Sequence, residues 1–144
     1  MNSRKAFTLL ELMIIVAIIG ILAAIAVTRF GGVINNSKEG ATRGGLTSVR
    51  SALSIYYGDN LTNPVDDLTS LTIGGRYISS LPVVKLPGTN HPENRHVSVG
   101  ASTAAAVDDT GGWAYVNAPD TPSHGTLLIN CTHADSKDKR WDEQ

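Results

Sequence analysis

The chain has 144 residues, room for about one domain, with 12 basic and 13 acidic side chains and a formal net charge of −1. This balance and the short basic stretches exclude the electrostatic footprint of a nucleic-acid-binding protein. The single cysteine, Cys131, excludes a disulfide within these residues. We expect a buried thiol there, with an intermolecular bridge as the alternative.

The first element is a long apolar segment behind a short polar start. The polar stretch MNSRKA carries Arg4 and Lys5, and an uninterrupted apolar run extends from Leu12 to Val27. Counted from Phe7, the segment would form a helix of about 32 Å, which matches a bilayer core of about 30 Å. The two cations should stay cytoplasmic while the remaining chain crosses outward. A secretory signal peptide fits badly, because the only apolar run lies after any plausible cleavage point.

Glu11 interrupts this apolar segment near its start. A carboxylate in hydrocarbon costs on the order of 3 kcal/mol, so it should be retained only with a partner or a task. The alternative is that Glu11 snorkels to the membrane interface without a specific role.

The stretch KAFTLLELMIIVAIIGILAAIA, residues 5–26, resembles the start of type IV pilins and of the pseudopilins of type II secretion. The resemblance implies cleavage by a prepilin peptidase between Ala6 and Phe7, followed by N-methylation of the Phe7 amine. It also implies that Glu11 pairs with the Phe7 amine of a neighbouring subunit. The chain departs from the family pattern at Ala6, where glycine is usual, and at Thr28, where a helix-bending proline is usual.

Beyond the apolar run, the pattern predicts that the same helix continues from Val33 to Tyr57. The apolar side chains of Leu46, Val49, Leu53 and Tyr56 are spaced three, four and three apart and should form one stripe against a sheet. We expect bending, local unwinding or close helix approach at Gly31 and Gly32, and we expect Gly58 to end the helix.

The second half of the chain predicts loops and three short strands. The strands are Val97–Val99, Trp113–Asn117 and Thr126–Cys131, with the last two joined as a hairpin across APDTPSH. Trp113 and Tyr115 should share one face, which we expect to be buried against the helix; the alternative is an exposed contact with another subunit. Three stretches, Arg50–Pro64, residues 71–87 and Gly111–Asn130, also resemble the corresponding parts of pilins and pseudopilins.

The polar tail THADSKDKRWDEQ should lie on the surface or fray. Asp135 and Asp138 do not match the calcium loop of the related pseudopilins, and the neighbouring cations oppose a divalent ion. We expect no metal, no cofactor, no catalytic residues and no enzymatic activity. The four histidines show no spacing typical of zinc ligands and should be solvated; they are His91, His96, His124 and His133.

The predicted fold is therefore α+β, with a long N-terminal helix, membrane-spanning in its first half, packed against a small antiparallel sheet. The predicted boundaries are a cleaved leader (residues 1–6), a transmembrane and assembly helix (7–30), the soluble half of the helix (31–58) and a globular head (59–144).

The resemblance implies the function of a pilin, which polymerises through its N-terminal helix into a helical type IV pilus of identical subunits. The expected partners are prepilin peptidase, the pilus assembly machinery and, before assembly, the bacterial inner membrane; no nucleic acid is expected. The expected final location is an extracellular pilus.

Three alternatives remain open at this point. The chain could be a type II secretion pseudopilin in a periplasmic pseudopilus. It could be a minor pilin that adheres or captures DNA through the cluster Lys137, Lys139, Arg140 and Trp141. It could also be an anchored protein that never polymerises.

Overall fold

The computed structural model describes residues 7–64 and 66–144, with only the backbone of Thr28, and its dominant element is helix α1, Leu9–Asn60. Two short helices and three strands follow: α2 (Thr69–Thr72), β1 (Val97–Gly100), α3 (Thr103–Ala106), β2 (Trp113–Val116) and β3 (Leu127–Ile129). Single 3₁₀ turns lie at Ile73–Gly75 and Trp141–Glu143. The chain divides into an N-terminal unit, Met1–Asn35, and a C-terminal unit, Asn36–Gln144.

Helix α1 begins with a side-chain cap. The hydroxyl of Thr8 accepts a hydrogen bond from the backbone N–H of Glu11 at 3.2 Å, which satisfies one of the free donors of the first turn. The helix then passes through Gly31 and Gly32 without a break, so the expected local unwinding does not occur. A helix-interior glycine costs only about 1 kcal/mol relative to alanine, too little to open a long helix.

The helix ends later than the sequence suggested. Gly58 lies inside α1, which continues to Asn60. Leu61 adopts a left-handed conformation (φ 58°), and its N–H donates to the carbonyl oxygen of Tyr57 at 2.8 Å. The Asn60 side chain also donates to the Tyr56 carbonyl at 2.9 Å. These two residues therefore supply the C-terminal cap that glycine was expected to provide.

The predicted stripe on α1 forms the helix side of the main core. Leu46, Val49 and Leu53 are buried, and Tyr56 packs at the edge of the same cluster. The hydroxyl of Thr42 extends the stripe by one turn, since it donates to the carbonyl oxygen of Lys85 at 2.7 Å and accepts from the Lys85 N–H at 2.8 Å. The loop that contains Lys85 is thereby attached to the helix by a buried polar side chain.

The sheet is mixed, with strand order β1-β2-β3. Strands β2 and β3 are antiparallel, as the predicted hairpin requires. Strands β1 and β2 are parallel, so the prediction of an antiparallel sheet was wrong for this pair. The connection between them, residues 101–112, contains α3 and is long enough to return the chain to the same end of the sheet.

Strand β2 is buried on both faces. Trp113 and Tyr115 belong to the main core with the α1 stripe, which confirms their expected burial against the helix. Their polar atoms are satisfied there: the Trp113 indole N–H donates to the Pro82 carbonyl at 3.0 Å, and the Tyr115 hydroxyl donates to the Pro64 carbonyl at 2.7 Å. The other face, Ala114 and Val116, packs in a second small cluster with Ala106 of α3.

The tail lies on the surface, as predicted, with most of its residues exposed, but it is docked on α1 instead of being frayed. Trp141 is fully buried in the main core. Arg43 pairs with Asp135, whose side chain is only 2% exposed, and Arg50 donates to the backbone carbonyl of Gln144 at 2.7 Å.

Glu39 holds the same tail one turn earlier on α1. Its residue surface is only 3% exposed, and its carboxylate accepts from the N–H and the hydroxyl of Ser136 at 2.9 and 2.7 Å. Arg43 donates to Oε2 of this carboxylate at 3.2 Å, the same oxygen that accepts from the Ser136 hydroxyl. This charged residue can be buried because its hydrogen-bond partners arrive from the far end of the chain.

Candidate functional site

The N-terminal unit exposes a continuous apolar surface. Every large apolar side chain described between Phe7 and Phe30 is exposed, from 41% at Ile15 to 77% at Leu9. None of the residues in the most apolar 18-residue stretch of α1 is buried, and this helix is long and apolar enough to cross a membrane. Soluble monomers rarely expose apolar patches of this extent, and the surface therefore requires lipid or protein around it.

The apolar side chains lie on all sides of the helix. An amphipathic helix of a soluble domain would show one apolar stripe, as α1 does from Leu46 to Tyr56. Here consecutive residues such as Ile14, Ile15 and Val16 are all exposed. This pattern suits either lipid around the helix or a bundle of other helices around it.

Small residues interrupt the bulky ones within this surface. A Cβ added at Gly20 would meet no other atom within 4 Å, so the helix backbone is open to approach there. Ala17, Ala23 and Ala24 are exposed on neighbouring turns. Small side chains at such positions allow two helix backbones to pack closely in an apolar environment.

The predicted site residues lie at the beginning of this surface. Phe7 is 68% exposed, and Glu11 is exposed in the first turn of α1. The positive end of the helix dipole favours a carboxylate at that point. Ala6 lies outside the described residues. The partner predicted for Glu11 belongs to another copy of the chain, so that pairing stays a prediction.

The basic and aromatic cluster of the tail does not form a surface patch. Trp141 is fully buried and cannot stack on a base. Arg140 is paired with Asp142 at 2.7 Å and lies 3.6 Å from Glu143. Lys137 and Lys139 are exposed, but two lysines beside these carboxylates do not form a phosphate-binding stripe.

Asp135 and Asp138, the two carboxylates considered as calcium ligands, are not arranged to bind a cation. Asp135 accepts from the backbone N–H groups of Lys137 and Lys139 and pairs with Arg43. Although burial raises the pKa of Asp135, these donors outweigh it and lower the pKa to about 2. Asp138 stands in the turn with a φ of 60°. A carboxylate surrounded by N–H donors and a guanidinium is not arranged as a cation ligand.

The prediction of solvated histidines holds for His96 and His133, which are exposed, and fails for His91 and His124, which are partly buried. The prediction that the histidines are scattered fails for one pair. His91 and His133 lie together, with Nε2 of the first 3.2 Å from Nδ1 of the second. His124 has both ring nitrogens buried with no hydrogen-bond partner among the residues that the structure describes. Cys131 is buried, as expected, and burial raises the pKa of its thiol to about 11.

Sequence reasoning missed Asn130 and the capping role of Thr8. The Thr8-x-x-Glu11 spacing is that of a helix capping box and could have identified the first helical turn. Asn130 is fully buried, and its side chain accepts from the N–H groups of Asp108 and Asp109, both at 2.9 Å, and donates to the Asp108 carboxylate at 2.6 Å. Nothing in the sequence marks this residue, because its partners lie about twenty positions away.

Comparisons with known proteins agree with these features. Residues 1–27 match the family described as prokaryotic N-terminal methylation motif. The chain is 39% identical over 90 residues to fimbrial protein EcpC of Eikenella corrodens, covering 60% of this chain and 58% of that protein. It is 38% identical over 87 residues to type IV major fimbrial protein FimA of Dichelobacter nodosus, covering 59% of this chain and 54% of that protein.

The chain is also similar to a secretion protein. It is 30% identical over 101 residues to type II secretion system core protein G of Klebsiella pneumoniae, covering 67% of this chain and 66% of that protein. The chain spans little more than half the length of the two fimbrial relatives. No solved structure matches the chain significantly.

Proposed function

We infer from the N-terminal methylation motif and the similarity to fimbrial proteins that the chain is a structural subunit of a type IV pilus, assembled through its N-terminal helix. The observation that carries this proposal is the apolar surface on all sides of that helix, with Glu11 at its start. An anchor needs only the apolar surface, whereas a retained carboxylate needs a partner.

The N-terminal helix would occupy two environments in succession. In the precursor it lies in the inner membrane, where lipid surrounds every side. In the filament the same side chains pack against neighbouring helices, and the open backbone at Gly20 permits close approach. The C-terminal unit, which has its own core, would clothe the outside of an extracellular fibre of identical subunits.

Processing would create the partner of Glu11. Cleavage by prepilin peptidase between Ala6 and Phe7 leaves a new amine at Phe7, which is then methylated and keeps its positive charge. An ammonium and a carboxylate attract strongly in a bundle that excludes water, and pairing removes the cost of burying either alone. Each incoming subunit would thus be held in register by its Phe7 amine against Glu11 of a neighbour.

The test is to shear filaments from cells and compare the wild type with Glu11→Ala and Glu11→Gln. We expect sheared wild-type protein to begin at methylated Phe7 by intact mass and N-terminal sequencing. Both variants should accumulate in the membrane and fall at least about tenfold in the sheared fraction, since glutamine keeps the shape but loses the charge.

Asp120→Ala is the matched control, because Asp120 is an exposed carboxylate of the C-terminal unit. It should assemble at the wild-type level. Recovery of a chain that begins at Met1, found only in membranes, would overturn the proposal and favour an anchored protein that does not polymerise.

The similarity to type II secretion system core protein G favours one second candidate, a pseudopilin of a periplasmic pseudopilus. The two candidates share processing and assembly, so the same sheared fraction separates them by location. Processed protein that is absent from the cell surface and retained in the periplasm would support the pseudopilin.

A further inference from the structure

We propose that the C-terminal unit binds one Zn²⁺ ion through His91, Asp109, Cys131 and His133, and that this ion fastens three loops together. The four side chains come from three separate segments of the chain, yet one ligand atom from each lies within 4.8 Å of every other. The proposal stands apart from filament assembly, because all four residues belong to the C-terminal unit.

Four of the six separations between the ligand atoms are close to the edges of a zinc tetrahedron, and the other two are no longer than 4.8 Å. Nε2 of His91 lies 3.2 Å from Nδ1 of His133 and 3.4 Å from Oδ1 of Asp109. Nδ1 of His133 lies 3.6 Å from the same Oδ1 and 3.5 Å from Sγ of Cys131. With Zn–N and Zn–O bonds of about 2.1 Å and a Zn–S bond of about 2.3 Å, a regular tetrahedron has edges of about 3.4–3.6 Å.

The chemistry of the donor set selects the metal. Two imidazoles, one carboxylate and one thiol are ligands that zinc accepts together, whereas calcium and magnesium prefer oxygen alone. On binding, the Cys131 thiol gives its proton to solvent, and the thiolate with Asp109 then balances the two charges of the ion. Four protein ligands complete a tetrahedron and leave no position for substrate, which is the arrangement of a structural site.

The surroundings hold the ligands in place. Asp109 has a φ of 59°, and its Oδ1 accepts from the N–H of Thr132 at 2.7 Å, which orients the carboxylate. The buried Asn130 binds the N–H groups of the turn that carries Asp109. Gly111 lets this turn approach His91, since a Cβ there would lie 3.0 Å from the Cβ of His91. Such outer contacts typically accompany metal ligands.

An ion could enter from one side. The side chain of His133 is 51% exposed and that of Asp109 is 36% exposed, while His91 is 11% exposed and Cys131 is fully buried. The site therefore has a closed inner wall and an open outer edge. The metal-free alternative is an ordinary hydrogen-bonded cluster in which Asp109 contacts two histidines.

The experiment measures metal binding by the full chain in detergent micelles after removal of metal with a chelator. We expect one Zn²⁺ per chain by elemental analysis, with a dissociation constant below about 1 µM in competition with a chromophoric chelator. Co²⁺ should give the visible bands of a tetrahedral site together with a thiolate-to-metal charge-transfer band. Added Zn²⁺ should raise the melting temperature of the C-terminal unit.

Substitutions of the proposed ligands test which side chains bind the zinc ion. Cys131→Ser should remove the charge-transfer band, and His133→Gln should lower the affinity by about 100-fold or more, because loss of an outer contact alone costs about 10- to 100-fold. His133 is the more exposed ligand, so its variant remains informative if the cysteine variant fails to fold. His96→Gln is the matched control, since this exposed histidine lies outside the cluster, and it should bind as the wild type does.

Two results would overturn the proposal. One is a folded wild-type chain that binds no Zn²⁺ tighter than about 100 µM, which would leave the hydrogen-bonded cluster as the explanation. The other is stoichiometric binding that His133→Gln and His91→Gln leave unchanged, which would place the ion elsewhere.

Discussion

Individual charged residues attach the tail to helix α1, and Asp135 is the one whose protonation should matter most. The N–H groups of Lys137 and Lys139 and the guanidinium of Arg43 bind its carboxylate, and its pKa is lowered to about 2 although burial opposes this. An unfolded chain would take up this proton near the ordinary value of about 3.9. The carboxylate therefore contributes stability above about pH 4, and that contribution is lost as the pH falls through about 2.

We predict that Asp135→Asn is less stable than the wild type at pH 7 and that the difference shrinks as the pH falls from about 5 to 2. The amide cannot accept the same donors as an anion, and the wild type loses this advantage on protonation. Urea unfolding at a series of pH values, followed by tryptophan fluorescence, measures the stability difference at pH 7 and its change with pH. Asp120→Asn is the control, and a constant difference between wild type and Asp135→Asn across this range would contradict the prediction.

At the scale of elements, helix α1 has two kinds of surface in one chain segment. From Leu46 to Tyr56 it buries one stripe in the main core, and its opposite side is exposed, as at Ile55. Side chains on the core side should determine the stability of the C-terminal unit. Side chains on the exposed side should affect only the contacts that the helix makes with other molecules.

We predict that Leu53→Ala lowers the free energy of unfolding by about 2–5 kcal/mol, through lost burial and the cavity left among Trp113, Tyr115 and their neighbours. Ile55→Ala is the matched control. Its side chain is 57% exposed, so the change should stay within about 0.5 kcal/mol. Urea unfolding of both variants, followed by tryptophan fluorescence, tests the pair. Equal losses would mean that the stripe is not the helix surface on which the core depends.

At the scale of the whole molecule, the core of the described residues lies entirely in the C-terminal unit. Its buried apolar side chains extend from Leu46 to Trp141, while the large apolar side chains described in the N-terminal unit are exposed. The two units thus differ in what stabilises them: internal packing for one, and lipid or other subunits for the other.

We predict that a truncated chain beginning at Asn36 folds alone, stays soluble and unfolds cooperatively. Removing the N-terminal unit takes away the exposed apolar surface and none of the buried core. Circular dichroism during thermal unfolding and light scattering after gel filtration would check these properties. Aggregation, or loss of the cooperative transition, would show that the core needs the N-terminal unit.

Much of this molecule could be predicted where the signal is local. The apolar run, the stripe from Leu46 to Tyr56, the β2-β3 hairpin and the inward face of Trp113 and Tyr115 all follow from composition and periodicity. Features that depend on a contact between residues distant in sequence could not be predicted. The burial of Glu39 depends on Ser136, and the parallel pairing of β1 with β2 depends on a crossover that strand patterns do not encode.

The sequence by itself determined the long helix, its apolar first part and the family that the chain resembles, because a run of apolar residues and a motif around Phe7 and Glu11 are properties of consecutive positions. Only the tertiary structure decided the direction of β1, the docking of the tail and the meeting of His91, Asp109, Cys131 and His133. These depend on loops that bring residues 16 to 97 positions apart into contact, as Val97 pairs with Trp113 and Ser136 meets Glu39. Loop closure is governed by the packing of the whole core, which no local pattern describes.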